Sequence, residues 1–154
     1  MKSFPLFPQF ACFIALTFLV TSCEIETQKD KYEEQVLGIW EFQEVKKLKL
    51  FNNETITDEY EETLLEFMPD GTLNLLDKNS LTVLTTGTWD MDDRTYSDGE
   101  SSSTYVTLET RFDDSFNGVD YSFDEATINR FKNGELCFRE TKFSNNKSVE
   151  LKRH

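Results

Sequence analysis

Hydrophobic and polar positions divide the chain into two regimes. Phe10 to Val20 is an apolar run of 11 residues, interrupted only by Thr17. The next stretch, Glu24 to Glu34, is rich in Glu, Lys, Asp and Gln and shows no apolar period, which predicts a flexible tether. From Val36 onward apolar and polar residues alternate, the period of a strand with one buried face. No segment after the apolar run carries the helical period of an amphipathic face.

Read in order, the alternation predicts eight or nine short strands. Ile39 to Leu50 places Trp40, Phe42, Leu48 and Leu50 on one face, with Glu44 and Lys46 sharing it. Asn52 to Glu62 is polar and acidic, a loop or a single helical turn. Thr63 to Phe67 and Thr72 to Leu76 form a hairpin across Pro69-Asp70-Gly71. There Pro presets the first turn residue and Gly takes the left-handed position. Leu81 to Met91 puts Leu81, Val83, Trp89 and Met91 on one face, and Gly87 marks a bend. Asp92 to Ser103, hydroxyl-rich and acidic, predicts a loop. Thr104 to Phe112 is a strand with Val106, Leu108 and Phe112 on one face, and Asp113 to Gly118 turns the chain. Val119 to Phe131 holds one or two strands, divided near Asp124-Glu125. Asn133-Gly134 is the strongest hairpin signal, and Glu135 to Phe143 returns from it with Leu136 and Phe138 inward. A turn at Ser144 to Lys147 leads into a last strand, Val149 to Leu151.

An antiparallel sheet of this many strands must bury its apolar face, and closing on itself removes the exposed edges. The expected fold is all-β, an up-and-down β-barrel of about eight strands spanning residues 36–154, with a β-sandwich as the alternative. The length of 154 residues fits one small domain. An aromatic content of 14%, led by 14 Phe, is too rich for a disordered chain.

The N-terminal regime has its own meaning. Met1-Lys2-Ser3 supplies a positive start, and small residues follow the apolar run. These are the marks of a signal peptide over residues 1–22. A membrane-spanning helix needs roughly 20 apolar residues, and Pro5, Pro8 and Gln9 cut this run short of that. Val20-Thr21-Ser22-Cys23 resembles the lipobox of a bacterial lipoprotein, in which the Cys becomes the acylated first residue. The resemblance implies lipidation of Cys23 with three acyl chains, palmitate among them, and a tether over residues 23–35. Each buried methylene contributes about 0.8 kcal/mol, so two or more chains hold firmly. The expected address is the bacterial cell envelope, at the outer membrane, because acidic residues just after the Cys resemble the surface-export signals of some outer-membrane lipoproteins.

A second resemblance begins after the tether. Gly38-Ile39-Trp40 opens the first strand, and Phe67-Met68-Pro69-Asp70-Gly71-Thr72 and Gly87-Thr88-Trp89 follow in order. This set is similar to the lipocalin-like domains of small bacterial lipoproteins, with Gly38 and Trp40 as the opening motif. The resemblance implies that Trp40 closes one barrel end beneath a basic side chain from late in the chain. Arg139, Lys152 and Arg153 all qualify. A Thr-Asp-Tyr-type motif in mid-chain and a helix after the barrel, both present in large lipocalins, are absent from the sequence.

Charge narrows the partners. Without its first 22 residues the chain carries 15 basic and 29 acidic side chains, a net of −14. Such a surface repels nucleic-acid phosphates and anionic headgroups, so neither nucleic acid nor charge-driven membrane binding is expected. Three Cys leave no disulfide framework, since Cys12 is in the leader, Cys23 is the lipid site and Cys137 stands alone mid-strand. His154 is the only histidine and ends the chain, which removes His-based acid–base chemistry and any Ser-His-Asp arrangement. Asp90, Asp92 and Asp93, and Asp113 with Asp114, read as solvated loop charge rather than paired catalytic acids. No catalytic residue, metal site or cofactor is expected, and the protein reads as a non-enzyme.

The binding case rests on aromatic residues. Trp40, Phe42, Phe67, Trp89, Phe123 and Phe138 fall on inward faces. A barrel of about eight strands either fills its middle with side chains or leaves room for one ligand. The expected function is a lipid-anchored envelope lipoprotein whose barrel binds a small apolar ligand. The alternative is a non-catalytic structural or interaction lipoprotein with a filled barrel, meeting an envelope protein through its polar loops.

Overall fold

The computed structural model describes residues 27–49, 51–140 and 146–154. The leader, Cys23, Leu50, Phe143 and the first two residues of the turn predicted over Ser144 to Lys147 lie outside them. Among the described residues one α-helix, α1 (Gln28–Val36), precedes nine strands. These are β1 (Gly38–Lys47), β2 (Glu54–Thr55), β3 (Thr63–Phe67), β4 (Thr72–Asp77), β5 (Val83–Ser97), β6 (Ser102–Arg111), β7 (Phe123–Lys132), β8 (Glu135–Arg139) and β9 (Lys147–Arg153).

From β3 to β9 each strand pairs antiparallel with the next, and β1 pairs with both β3 and β9. Eight strands thus close into an up-and-down β-barrel, the fold that the alternation predicts. The two-residue β2 lies against the far end of β1 and takes no part in the closure. The inward faces bury Trp40, Phe42, Val45, Leu65, Phe67, Leu73, Leu75, Met91, Leu108, Phe123, Phe138 and Leu151 in one continuous core.

Four features depart from the sequence expectation. The stretch expected to be a flexible tether contains α1. Thr27 caps it by accepting from the Asp30 N–H at 3.2 Å, and the Asp30 carboxylate accepts from the Thr27 N–H at 2.9 Å. Its apolar period is missing because Val36 is its only fully buried residue. Local capping, plus docking of its last turn, takes the place of an apolar stripe.

In β1 the strict alternation breaks. The pairing with β9 shifts between Phe42 and Glu44, which reverses the faces beyond that point. Val45 turns inward, while Glu44 and Lys46 stay outside and pair with each other at 2.6 Å. The expected sharing of the inward face by charged residues therefore does not occur. A second shift, between Leu75 and Leu76 against β5, leaves Val83 half exposed, and Leu81, also half exposed, stands in the turn before β5 with a left-handed backbone, so neither lies inward with Met91.

The fourth departure is the largest. The expected loop from Asp92 to Ser103 is instead the outer part of a long hairpin, paired without a break from Thr88↔Arg111 to Ser97↔Ser102. Only Asp98 to Ser101 turns, with the Asp98 carboxylate accepting from the Glu100 and Ser101 N–H groups. Strand β4 pairs with β5 only up to Thr88, and β7 pairs with β6 only from Thr107 inward. The tip therefore projects beyond the barrel wall. Its Ser, Thr and Asp residues lack apolar alternation because neither face meets the core.

Gly87 shows why side-chain volume is excluded at the base of this hairpin. A Cβ there would lie 2.1 Å from the Arg111 carbonyl oxygen. Gly87→Ala is expected to cost about 2–3 kcal/mol through this overpacking. Thr88→Ala, one position on and exposed, should stay within about 0.5 kcal/mol. Urea denaturation of both variants checks this, and equal midpoints would refute the close-approach argument.

Candidate functional site

The barrel interior is the first place to look. Trp40 and Phe123 are fully buried, and Phe42, Phe67 and Phe138 nearly so. Trp89 is only half buried. The rings do not face an open space; they face one another. Phe123 and Phe138 pack edge-on with centroids 5.0 Å apart. Phe42 lies 4.9 Å from Tyr60, which in turn lies 5.1 Å from Tyr121. Phe67 meets Trp89 at 5.6 Å, and the Trp89 indole donates to the Met68 carbonyl at 2.9 Å, tying the Pro69-Gly71 hairpin to its neighbour. Such pairs stabilise beyond the area they bury.

Tyr60 and Tyr121 were not legible as core residues. Tyr60 sits in the acidic run Asp58 to Glu62, and Tyr121 in a turn-rich stretch. Both phenols are held above their ordinary pKa, chiefly by burial. The Tyr60 hydroxyl donates to the Asp120 carbonyl at 3.2 Å, and the Thr63 hydroxyl donates to Tyr121 at 3.2 Å. They act as a plug with satisfied polar tips.

Beside this plug lie two buried charged residues. Lys147 donates to the Asp120 carbonyl at 3.0 Å and stands over the Phe123 ring at 5.5 Å. The Glu140 carboxyl accepts from the Asp124 N–H at 3.2 Å. Its second oxygen has no hydrogen-bond partner among the described residues. Burial pushes the Glu140 pKa up, and the Lys147 charge only partly offsets this.

The opposite end is closed by Trp40. Its indole donates to the Val36 carbonyl at 2.5 Å, and the Arg153 guanidinium lies over the ring with its centre 5.0 Å from the centroid. Arg153 also donates to the Gln35 carbonyl. The two last carbonyls of α1 are thus satisfied by one indole and one guanidinium, and a cation stands where the helix dipole favours it. Phe131 packs edge-on against Trp40 at 5.7 Å, and Tyr32 of α1 packs on Phe131 at 5.1 Å. Of the three basic residues left open by the sequence, Arg153 takes the position. Arg139 lies near the far end of the barrel, paired with Ser148.

No protein-family model, no curated protein and no solved structure matches this chain.

The carboxylates do not converge. Asp90 and Asp92 are exposed on successive outward positions of β5, and Asp92 pairs with Arg94 at 3.2 Å. Arg94 also reaches Glu125 across the barrel wall at 3.3 Å. Asp113 and Asp114 are exposed in a loop. The Cys137 thiol is pushed up by burial, although the Arg130 guanidinium donates to its sulfur at 3.2 Å. That makes it a poor nucleophile at neutral pH. The His154 N–H donates to the Ile39 carbonyl at 3.0 Å, so the last residue is tied to β1.

Two clefts flank α1 outside the barrel. The larger, of about 760 Å³, lies between α1 and the β7–β8 turn and is lined by Lys31, Tyr32, Gln35, Phe131, Lys132 and Arg153 among others. The smaller, of about 300 Å³, is lined by Glu33, Glu34, Leu37, Pro69 and Trp89 among others.

Two outcomes test this geometry. Arg153→Ala is expected to lower stability by about 1–2 kcal/mol, from loss of the cation–π contact and a helix hydrogen bond. It should also speed amide exchange across Gln28–Val36 while leaving β3 and β4 unchanged; uniform exchange would remove Arg153 from the closure. For Glu140 the folded pKa is raised, so folding favours the protonated form. Its contribution is fully present below the ordinary value of 4.5 and is lost as pH rises through the raised value. Glu140→Gln should therefore gain stability relative to the natural chain between acid and neutral pH, read as a growing difference in Tm. A difference independent of pH would contradict the burial argument.

Proposed function

We propose that the protein is a non-catalytic, lipid-anchored interaction lipoprotein of the bacterial cell envelope, built on a filled, lipocalin-like barrel. One observation carries the choice between a filled and a ligand-holding barrel: the inward aromatics pack ring against ring, from Trp40 at one end to Tyr60 and Tyr121 at the other. Opening a cavity large enough for an apolar ligand would separate these rings and lose contacts that a barrel this small needs.

The lipocalin likeness draws support from the closure of one end by Trp40 under Arg153. The anchor rests on the lipobox resemblance at Cys23, ahead of the described residues. The partner-facing element in this reading is the β5–β6 hairpin. Beyond Val106 its outer part stands clear of the core, carries Tyr96 and Tyr105 exposed, and bears Asp98 and Glu100, with Asp92, Asp93 and Arg94 where it leaves the barrel. Aromatic residues on a rigid ribbon give contact area at low entropic cost, and the acidic charge steers a basic partner.

Site-specific photo-crosslinking in the native envelope tests the reading. A crosslinker at Tyr96 or Tyr105 should capture a discrete adduct that Asp92→Asn, Asp93→Asn and Glu100→Gln together reduce at least about tenfold. Asp98 is left intact because it builds the turn. Adducts unaffected by neutralising the charge would refute the hairpin as the contact. Stoichiometric uptake of an apolar dye by the native protein would refute the filled barrel.

A further inference from the structure

The larger cleft beside α1 is anomalous in its charge. The chain has 16 basic and 29 acidic residues, yet the residues lining this cleft include Lys31, Lys132 and Arg153 and no carboxylate. Lys31 and Lys132 are exposed, and neither has an ion-pair partner among the described residues. The helix is sided accordingly. Gln28, Lys31, Tyr32 and Gln35 recur at the spacing of one helical face and line this cleft, whereas Glu33 and Glu34 line the cleft on the other side. Tyr32 packed on Phe131 gives the cationic cleft an aromatic wall.

Chain length says where this cleft stands. Thr27, the residue that caps α1 and lines the cleft, is four steps along the chain from Cys23, with three residues between them. A fully extended chain spans at most about 3.6 Å per residue, so the cap lies within roughly 14 Å of an acylated Cys23. That is under two screening lengths at physiological salt, about 8 Å each. We infer that the cleft between α1 and the β7–β8 turn docks on the membrane surface, taking the phosphate of an anionic phospholipid headgroup between Lys31 and Lys132. The inference rests on the proposed anchor at Cys23. The tether supplies proximity, and the cleft sets orientation: the basic face turns toward the headgroups and the acidic bulk of the barrel is repelled from them.

The test uses the mature, membrane-extracted protein reconstituted into vesicles of phosphatidylcholine alone or with phosphatidylglycerol. Its mass first reports the acyl chains on Cys23; an unmodified thiol defeats the anchor and the proximity argument together. With the chains present, hydrogen–deuterium exchange reads the cleft. Amides of α1 and of Lys132 to Gly134 should exchange about tenfold more slowly with phosphatidylglycerol than without it, and the difference should vanish in high salt. Lys31→Ala with Lys132→Ala should abolish the difference while leaving acylation and the barrel's circular dichroism unchanged. Equal exchange on both vesicles overturns docking while leaving the anchor intact. Equal slowing by inorganic phosphate on phosphatidylcholine vesicles overturns the lipid as the source of the phosphate.

Discussion

The structure depends on how one end of the barrel is sealed. Trp40 sits at the start of β1 and needs a partner for its buried indole N–H; α1 ends with carbonyls that need donors. The Val36 carbonyl meets the indole, and the Gln35 carbonyl meets Arg153, whose guanidinium also covers the indole face. A single cluster thus joins the first strand, the last strand and the helix. Those elements come from opposite ends of the described chain, and the seal sits at one end of the antiparallel ladder that joins β1 to β9. Without it, an eight-stranded sheet would retain two exposed edges.

The other end is sealed by different chemistry. Tyr60 and Tyr121 supply bulk, and their hydroxyls reach Asp120 and Thr63. Next to them burial pushes the Glu140 pKa up, beside a Lys147 that has carbonyl and aromatic partners. One end is therefore closed by a cation over an indole and the other by a phenol pair. Between them, aliphatic and aromatic side chains fill the cylinder. In the function proposed, a barrel filled in this way would serve as a rigid support for what it displays: a ribbon that projects, and a helix whose two faces differ in charge.

That charge separation is the link between packing and function. Helix α1 has almost no apolar face, so the barrel does not hold it by burial along its length. It is held by its last turn and by Tyr32, which leaves Lys31 free on one side and the two glutamates on the other. The β5–β6 ribbon separates in the same manner. Its base is fixed by the close approach of Gly87 to Arg111, and its tip carries acidic and aromatic residues with no core to bury them.

The pattern of alternation was enough to determine a strand-rich antiparallel fold, the hairpins at Pro69-Gly71 and Asn133-Gly134, and the inward placement of Trp40, Phe67, Phe123 and Phe138, because these follow from local backbone geometry and a period of two; the closure into a barrel rather than a sandwich is seen in the pairing of β1 with β9. The tertiary structure alone decided the rest. The bulge after Phe42 reverses which residues face inward, and a reversal of one position leaves no mark in composition. Helix α1 forms through the Thr27–Asp30 cap and the docking of its carbonyls, where a search for apolar period finds nothing. The outer half of the β5–β6 ribbon reads as loop because strand signals come from burial, and this part of the strand pairs without being buried. Arg153 over Trp40 depends on closure between chain regions more than a hundred residues apart. Local sequence can name the basic residues able to cover the ring, but only the register of β9 against β1 selects one.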